Sequence, residues 1–183
     1  NIPVISFNVV GMEKMPGFKI TPDMLEKLLK VVVYGDLLQK MLTKNRVYEV
    51  NKGETQKLYD EWMQKCKELV VHSSLSEFKK SIYDMVNDFE KIELDTSMKK
   101  PKVGIVGEVL IKYHPFGNNF IAEKLEQEGA EVILPDFMGF VKFMATHKIT
   151  FNTLIKTDKY KAKIFKLAIK LIDILEKDER IAL

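Results

Sequence analysis

Apolar positions recur along this chain at two spacings, and the change from one to the other divides it. A β-branched opening run, Pro3-Val4-Ile5-Ser6-Phe7, predicts a strand, and Gly11, Pro16 and Gly17 then mark a loop. Thr21-Pro22-Asp23 predicts a helix start: Thr can cap an orphan N–H, Pro suits the first helical position and Asp complements the dipole. Leu25, Leu28, Leu29, Val32, Leu37 and Met41 follow at helical spacing to about residue 43, with Gly35 inside the run. Arg46-Val47-Tyr48-Glu49-Val50 alternates, but Asn51 and Gly53 close it quickly, which fits a loop or short strand. A second helix is expected over 53–71, with Leu58, Trp62, Cys66 and Leu69 on one stripe. The third opens on Ser74-Leu75-Ser76-Glu77, a capping box, and carries the stripe Phe78, Ile82, Met85, Val86, Phe89 and Ile92.

The polar stretch 95–102, which includes Pro101, is the boundary. After it, Val103-Gly104-Ile105-Val106-Gly107 has the composition of a buried parallel strand. A loop over 108–118 leads to a helix over 119–128 that ends at Gly129, and Glu131-Val132-Ile133-Leu134 forms the next strand before Pro135-Asp136. Strand, helix and strand in this order make a βαβ unit. A short aromatic helix over 137–147 and a long helix over 158–176 complete the pattern, the latter with stripe Tyr160, Ile164, Ala168, Leu171 and Leu175.

The expected class is therefore α/β: a small, mostly parallel sheet resembling half of a Rossmann or flavodoxin-like fold, with a helical subdomain. Residues 1–97 would hold the first strand and a three-helix block, and 98–183 the βαβ unit and C-terminal helices. Three strands against about six helices leave a parallel sheet short of cover, so the sheet is expected to continue in a longer parent chain. A first strand that begins almost at once, with no initiator Met, points the same way.

Composition narrows the function classes. The 183 residues are 46% hydrophobic with a net charge of +3, which excludes a disordered chain. One Cys excludes an internal disulfide framework. No run of about 18 apolar residues and no secretory leader pattern occur, so a cytoplasmic protein without a membrane partner is expected. Lys+Arg number 29 against 26 Asp+Glu, too even for a nucleic-acid footprint. Lys156, Lys159, Lys161, Lys163, Lys166 and Lys170 concentrate around one helix, where a solvated helix face is the expected reading.

In an open parallel sheet, ligands sit on the loops beyond the strands' carboxyl ends. Here that loop is 107–119, and its candidates are Gly107, Glu108, Lys112, His114, Asn118 and Asn119. Lys112 offers charge, Asn118 and Asn119 offer hydrogen bonds, and the following helix N-terminus favours an anion. Each has a plainer role open to it: Asn118 as a helix cap, His114 as a packing residue beside Pro115. Gly104-Ile105-Val106-Gly107 is not a GxGxxG fingerprint, no GxxxxGK[ST] or GxSxG motif occurs, and His72, His114 and His147 lack metal-site spacing. Cys66, on an apolar stripe, is expected to be an inert buried thiol.

A series of short motifs nevertheless resembles one family. Val4-Ile5-Ser6-Phe7-Asn8, Pro16-Gly17-Phe18-Lys19, Tyr34-Gly35-Asp36-Leu37-Leu38 and Tyr48-Glu49-Val50 begin it. It continues through Lys102-Val103-Gly104-Ile105-Val106-Gly107-Glu108, Lys112-Tyr113-His114-Pro115, Asn118-Asn119 and Glu128-Gly129-Ala130-Glu131-Val132. Together they resemble the large acyl-CoA dehydratase activase-related proteins, in which an ATPase activase is fused to a region similar to 2-hydroxyglutaryl-CoA dehydratase subunits. The resemblance implies ATP, an iron–sulfur cluster and a (R)-2-hydroxyacyl-CoA in the parent, and other domains of that parent as partners. With one Cys and no phosphate loop, this chain is expected to carry neither cofactor and to serve as a non-catalytic docking segment. The alternative is a self-contained nucleotide- or CoA-binding flavodoxin-like module.

Overall fold

The computed structural model describes residues 21–155 and 159–183. The expected strand at 3–7 lies outside them. Thr21 caps α1 (Pro22–Arg46), its side chain accepting from the Met24 N–H, and the helix runs straight through Gly35. Next is α2 (Glu54–His72), which starts after Gly53 in a left-handed conformation. Glu49 stands in for the missing cap side chain, accepting from Gly53 N at 2.7 Å and Thr55 N at 2.8 Å. The Ser74–Glu77 capping box is fully formed at the start of α3 (Leu75–Glu90), as the sequence predicts. Glu49 and Leu94 form a lone antiparallel bridge, the remnant of the alternating stretch around Val47.

After the polar boundary come β1 (Lys102–Gly104), α4 (Val109–Tyr113), α5 (Ile121–Gln127) and β2 (Glu131–Ile133). The two strands pair in parallel, Val103 opposite Val132. Two long helices follow, α6 (Phe137–Leu154) and α7 (Lys159–Ala182). Both outrun their expected ends: neither Gly nor Pro lies between Gly139 and the end of α6 to stop it, and α7 has neither at all. Of the stripe expected on α7, Ala168 is half-buried, and the side chains of Tyr160, Ile164, Leu171 and Leu175 lie outside the described residues.

The α/β expectation is overturned. Seven helices and only two three-residue strands occur among the described residues, which are therefore mainly helical and hold no Rossmann-like sheet. The physical reason lies in the run 103–107. Its ladder ends at Gly104 apart from one bond from Ile105 N to the Ile133 carbonyl; Val106 is 83% exposed, and Gly107 turns away at φ 155°. A β-branched composition without burial on both faces does not build a strand of a parallel sheet.

The core instead lies between helices. Val33, Leu37, Leu38 and Met41 of α1 meet Trp62 and Cys66 of α2, Phe78, Ile82, Met85 and Phe89 of α3, and Met138 and Ile172 from the C-terminal helices. Tyr34 stacks edge-on against Phe78 with ring centroids 5.0 Å apart and donates to Ser81, whose own proton goes to the Phe78 carbonyl. Cys66 is buried as expected, and loss of hydration pushes its thiol up to about 12. Among the described residues no helix is long and apolar enough to cross a membrane.

Candidate functional site

The segment that leaves the carboxyl end of β2 meets α1, and a cleft of about 250 Å³ opens there between Asp36, Gln39, Tyr113, Pro135, Asp136 and Phe137. A larger hollow of about 590 Å³ runs along α2, but Gly53, Gln56, Lys57, Asp60, Glu61 and Gln64 line it from one helix alone. Without an opposing wall it cannot desolvate a ligand.

Asp36 organises the cleft. It sits on α1 in an otherwise apolar stretch and is almost buried, at 8% exposure. Its two carboxylate oxygens accept from Phe137 N and Met138 N, each at 2.8 Å. Asp136 accepts from Gly139 N at 2.8 Å, and a Cβ at Gly139 would collide with that oxygen. The first-turn N–H groups of α6 are thus taken by the protein's own carboxylates. Burial pushes the Asp36 carboxyl above its usual range, against the lowering effect of the two N–H bonds, and Asp136 adds to the rise. Behind it Lys40 bridges Glu179 at 2.6 Å and Asp136 at 3.3 Å. Burial lowers the Lys40 pKa but these two carboxylates outweigh it, so the ammonium stays charged. For Glu179, burial outweighs Lys40 and moves the carboxyl upward. The Tyr113 hydroxyl donates to the Pro135 carbonyl, and burial with the nearby Asp36 and Asp136 charges raises it to about 12.

The residues expected to bind a ligand form the adjoining loop, and each described contact is internal. Glu108 caps α4, accepting from Ile111 N at 3.2 Å. Lys112 lies over the Tyr113 ring, 4.5 Å from its centroid. His114 Nδ1 accepts from Gly117 N at 2.8 Å. Asn118 donates to the Ile111 and Lys112 carbonyls and accepts from Ile121 N, so it ties the loop to the first residue of α5, whose cap position is held by Phe120. Asn119 and Phe120 are left-handed, at φ 65° and 56°. Asn tolerates that region, whereas Phe has no side-chain chemistry to offset it. The Phe120 N–H bond to the Pro115 carbonyl, 2.8 Å, helps hold this turn. Gly107 accommodates its φ for want of a side chain.

Around this hydrogen-bonded frame the loop points its apolar side chains outward. Val106, Leu110, Ile111, Phe116 and Phe120 are 83, 69, 55, 81 and 48% exposed. Sequence reasoning on polar residues missed both features, Asp36 with the Asp136–Lys40–Glu179 bridge behind it and this apolar rim. A charged residue amid the apolar run of α1 is the one signal that pointed to Asp36.

The site does not fit the cofactors the resemblance implies. Cluster ligation needs several thiolates, and the lone Cys66 is in the helical core. A nucleotide or CoA phosphate at α6 would meet Asp36 and Asp136 where it needs free N–H donors. No group of three or more potential metal ligands occurs among the described residues. No family model, curated protein or solved structure matches this chain.

Proposed function

We propose that this chain is a non-catalytic docking segment of an activase/2-hydroxyacyl-CoA dehydratase-like protein, seated against the domains that carry its cofactors. The observation that carries this reading is the apolar rim of the 105–120 loop, five large side chains exposed at the end of a sheet of two short strands. Large apolar side chains concentrated and exposed in one loop are what interaction surfaces use. The strained Asn119-Phe120 turn that presents Phe120 supports the same reading, since such strain collects at functional segments. ATP hydrolysis and low-potential electron transfer would belong to the partner domains.

The test is binding. Calorimetric titration with the separately purified ATPase and dehydratase portions of a parent protein should give a complex. Leu110→Ser with Phe116→Ser should weaken it at least tenfold without lowering the melting temperature. ATP hydrolysis or hydroxyacyl-CoA turnover by the chain alone would overturn the reading. The competing role is a CoA- or nucleotide-binding module. It requires that saturating CoA, ATP or flavin, at about 100 times Kd, stabilise the fold by about 2.7 kcal/mol.

A further inference from the structure

The side chains of α7 are sorted by charge. Its four acidic residues pair with lysines of other elements: Asp173 and Glu176 with Lys142 at 3.1 and 2.6 Å, Asp178 with Lys79 at 3.3 Å, and Glu179 with Lys40 at 2.6 Å; of these Asp173 alone stays largely exposed, at 44%, and also faces Arg180 of α7 at 3.7 Å. Every other exposed side chain described on this helix is Lys, Arg, Leu or Ile. These fall into two rows. Leu167, Ile174 and Ile181, 59, 55 and 61% exposed, recur every seventh residue. Lys163, Lys170 and Lys177, also exposed, recur every seventh residue, each four positions before an aliphatic one. On an α-helix the rows lie about 40° apart and repeat about every 10.5 Å. Neighbouring α6 has no acidic residue in its whole length, and Phe143, Phe151 and Leu154 on it are exposed.

We propose that this outer face of α7 docks an acidic amphipathic helix of a partner protein. The partner would set apolar residues against Leu167, Ile174 and Ile181, and Glu or Asp against the lysine row. The seven-residue period is the reason for choosing a helix: it is the repeat at which two helices keep a seam in register, with flanking charges selecting the partner. An anionic lipid surface satisfies the charge but demands no register. A second copy using the same face would bring lysine row against lysine row, because Glu176 and Glu179 are buried and Asp173 and Asp178 are already paired with Lys142 and Lys79. This surface is separate from the 105–120 loop and stands or falls independently of it.

The probe is a fluorescent 21-residue helical peptide with Leu at every seventh position and Glu at the matching offset, titrated by anisotropy. Three comparisons accompany it: the same composition with the Glu offset shifted by two residues, a Lys-for-Glu version, and phosphatidylserine/phosphatidylcholine vesicles. The acidic in-register peptide should bind, more weakly at high salt. The combined variant Lys163→Glu/Lys170→Glu/Lys177→Glu should reduce affinity at least tenfold with an unchanged circular dichroism spectrum, and Ile174→Ser should also reduce it. No peptide binding, equal binding of the shifted peptide, or binding to vesicles alone would overturn the proposal.

Discussion

Removal of the Asp36 carboxylate should be among the costliest single polar changes in this protein. Asp36→Ala leaves the Phe137 and Met138 N–H groups without acceptors in a nearly closed site. A buried donor deprived of its partner costs about 1–3 kcal/mol, so two cost about 2–5 kcal/mol after relief of the buried charge. Asp36→Asn keeps one acceptor and turns an amide donor on the other N–H, for about 1–3 kcal/mol. In a chain of this size that corresponds to roughly 4–20 °C in Tm for the alanine variant. Urea unfolding followed by fluorescence measures it directly, because Trp62 is the only tryptophan and is 4% exposed. The pH dependence has a definite sign. The folded-state pKa of Asp36 is raised, so its contribution is fullest below the unfolded value of about 3.9 and declines as pH rises through the folded value. The wild-type margin over Asp36→Asn should shrink accordingly from acid toward neutral pH. If both variants unfold within about 0.5 kcal/mol of the parent, Asp36 does not anchor α6 as argued.

Phe78→Ala, at a fully buried ring against Tyr34, should lose about 3–5 kcal/mol in the same unfolding assay. Glu49→Gln weakens the two N–H bonds at the start of α2 and should cost about 1–2 kcal/mol at neutral pH. Burial raises the Glu49 pKa, but the Gly53 and Thr55 N–H bonds outweigh it and hold it low. Its stabilisation is thus present above the unfolded value of about 4.3 and lost as pH falls through the folded one, and the Gln penalty should vanish toward acid in a pH series. Phe120→Gly relieves a left-handed phenylalanine and should raise stability by up to about 1 kcal/mol in thermal melts; a drop of that size would show that the ring packs usefully.

What the sequence announced was chemistry confined to a few neighbouring residues. Thr21-Pro22-Asp23, the Ser74–Glu77 box and the left-handed Gly129 after α5 are decided within one helical turn, and each formed where its residues stand. The strand at 103–107 was misjudged because β-branched residues report only a preference, while a strand needs neighbours on both sides and cover on its faces. Val106, exposed, has neither. Asp36 showed in the sequence only as a charge amid apolar residues, because its partners are backbone N–H groups a hundred residues away, which leave no residue type to read. The apolar rim was missed for the opposite reason: attention in that loop went to its polar residues, and only the fold shows that Leu110, Ile111 and Phe116 face water.

The separation of 101 residues between Asp36 and Phe137 also fixes an order of assembly. Closing a loop of that length costs roughly 4 kcal/mol in chain entropy beyond a constant, and only shorter-range ties such as Arg46 to Glu126 and Tyr48 to Glu131 offset part of it before the start of α6 reaches the middle of α1. The first three helices can meet through short connections well before that. Refolding should therefore begin with α1, α2 and α3 around Phe78 and finish with a slower arrival of α6 and α7. Pulsed hydrogen exchange would record it as protection of the Met138 amide lagging behind that of Met85.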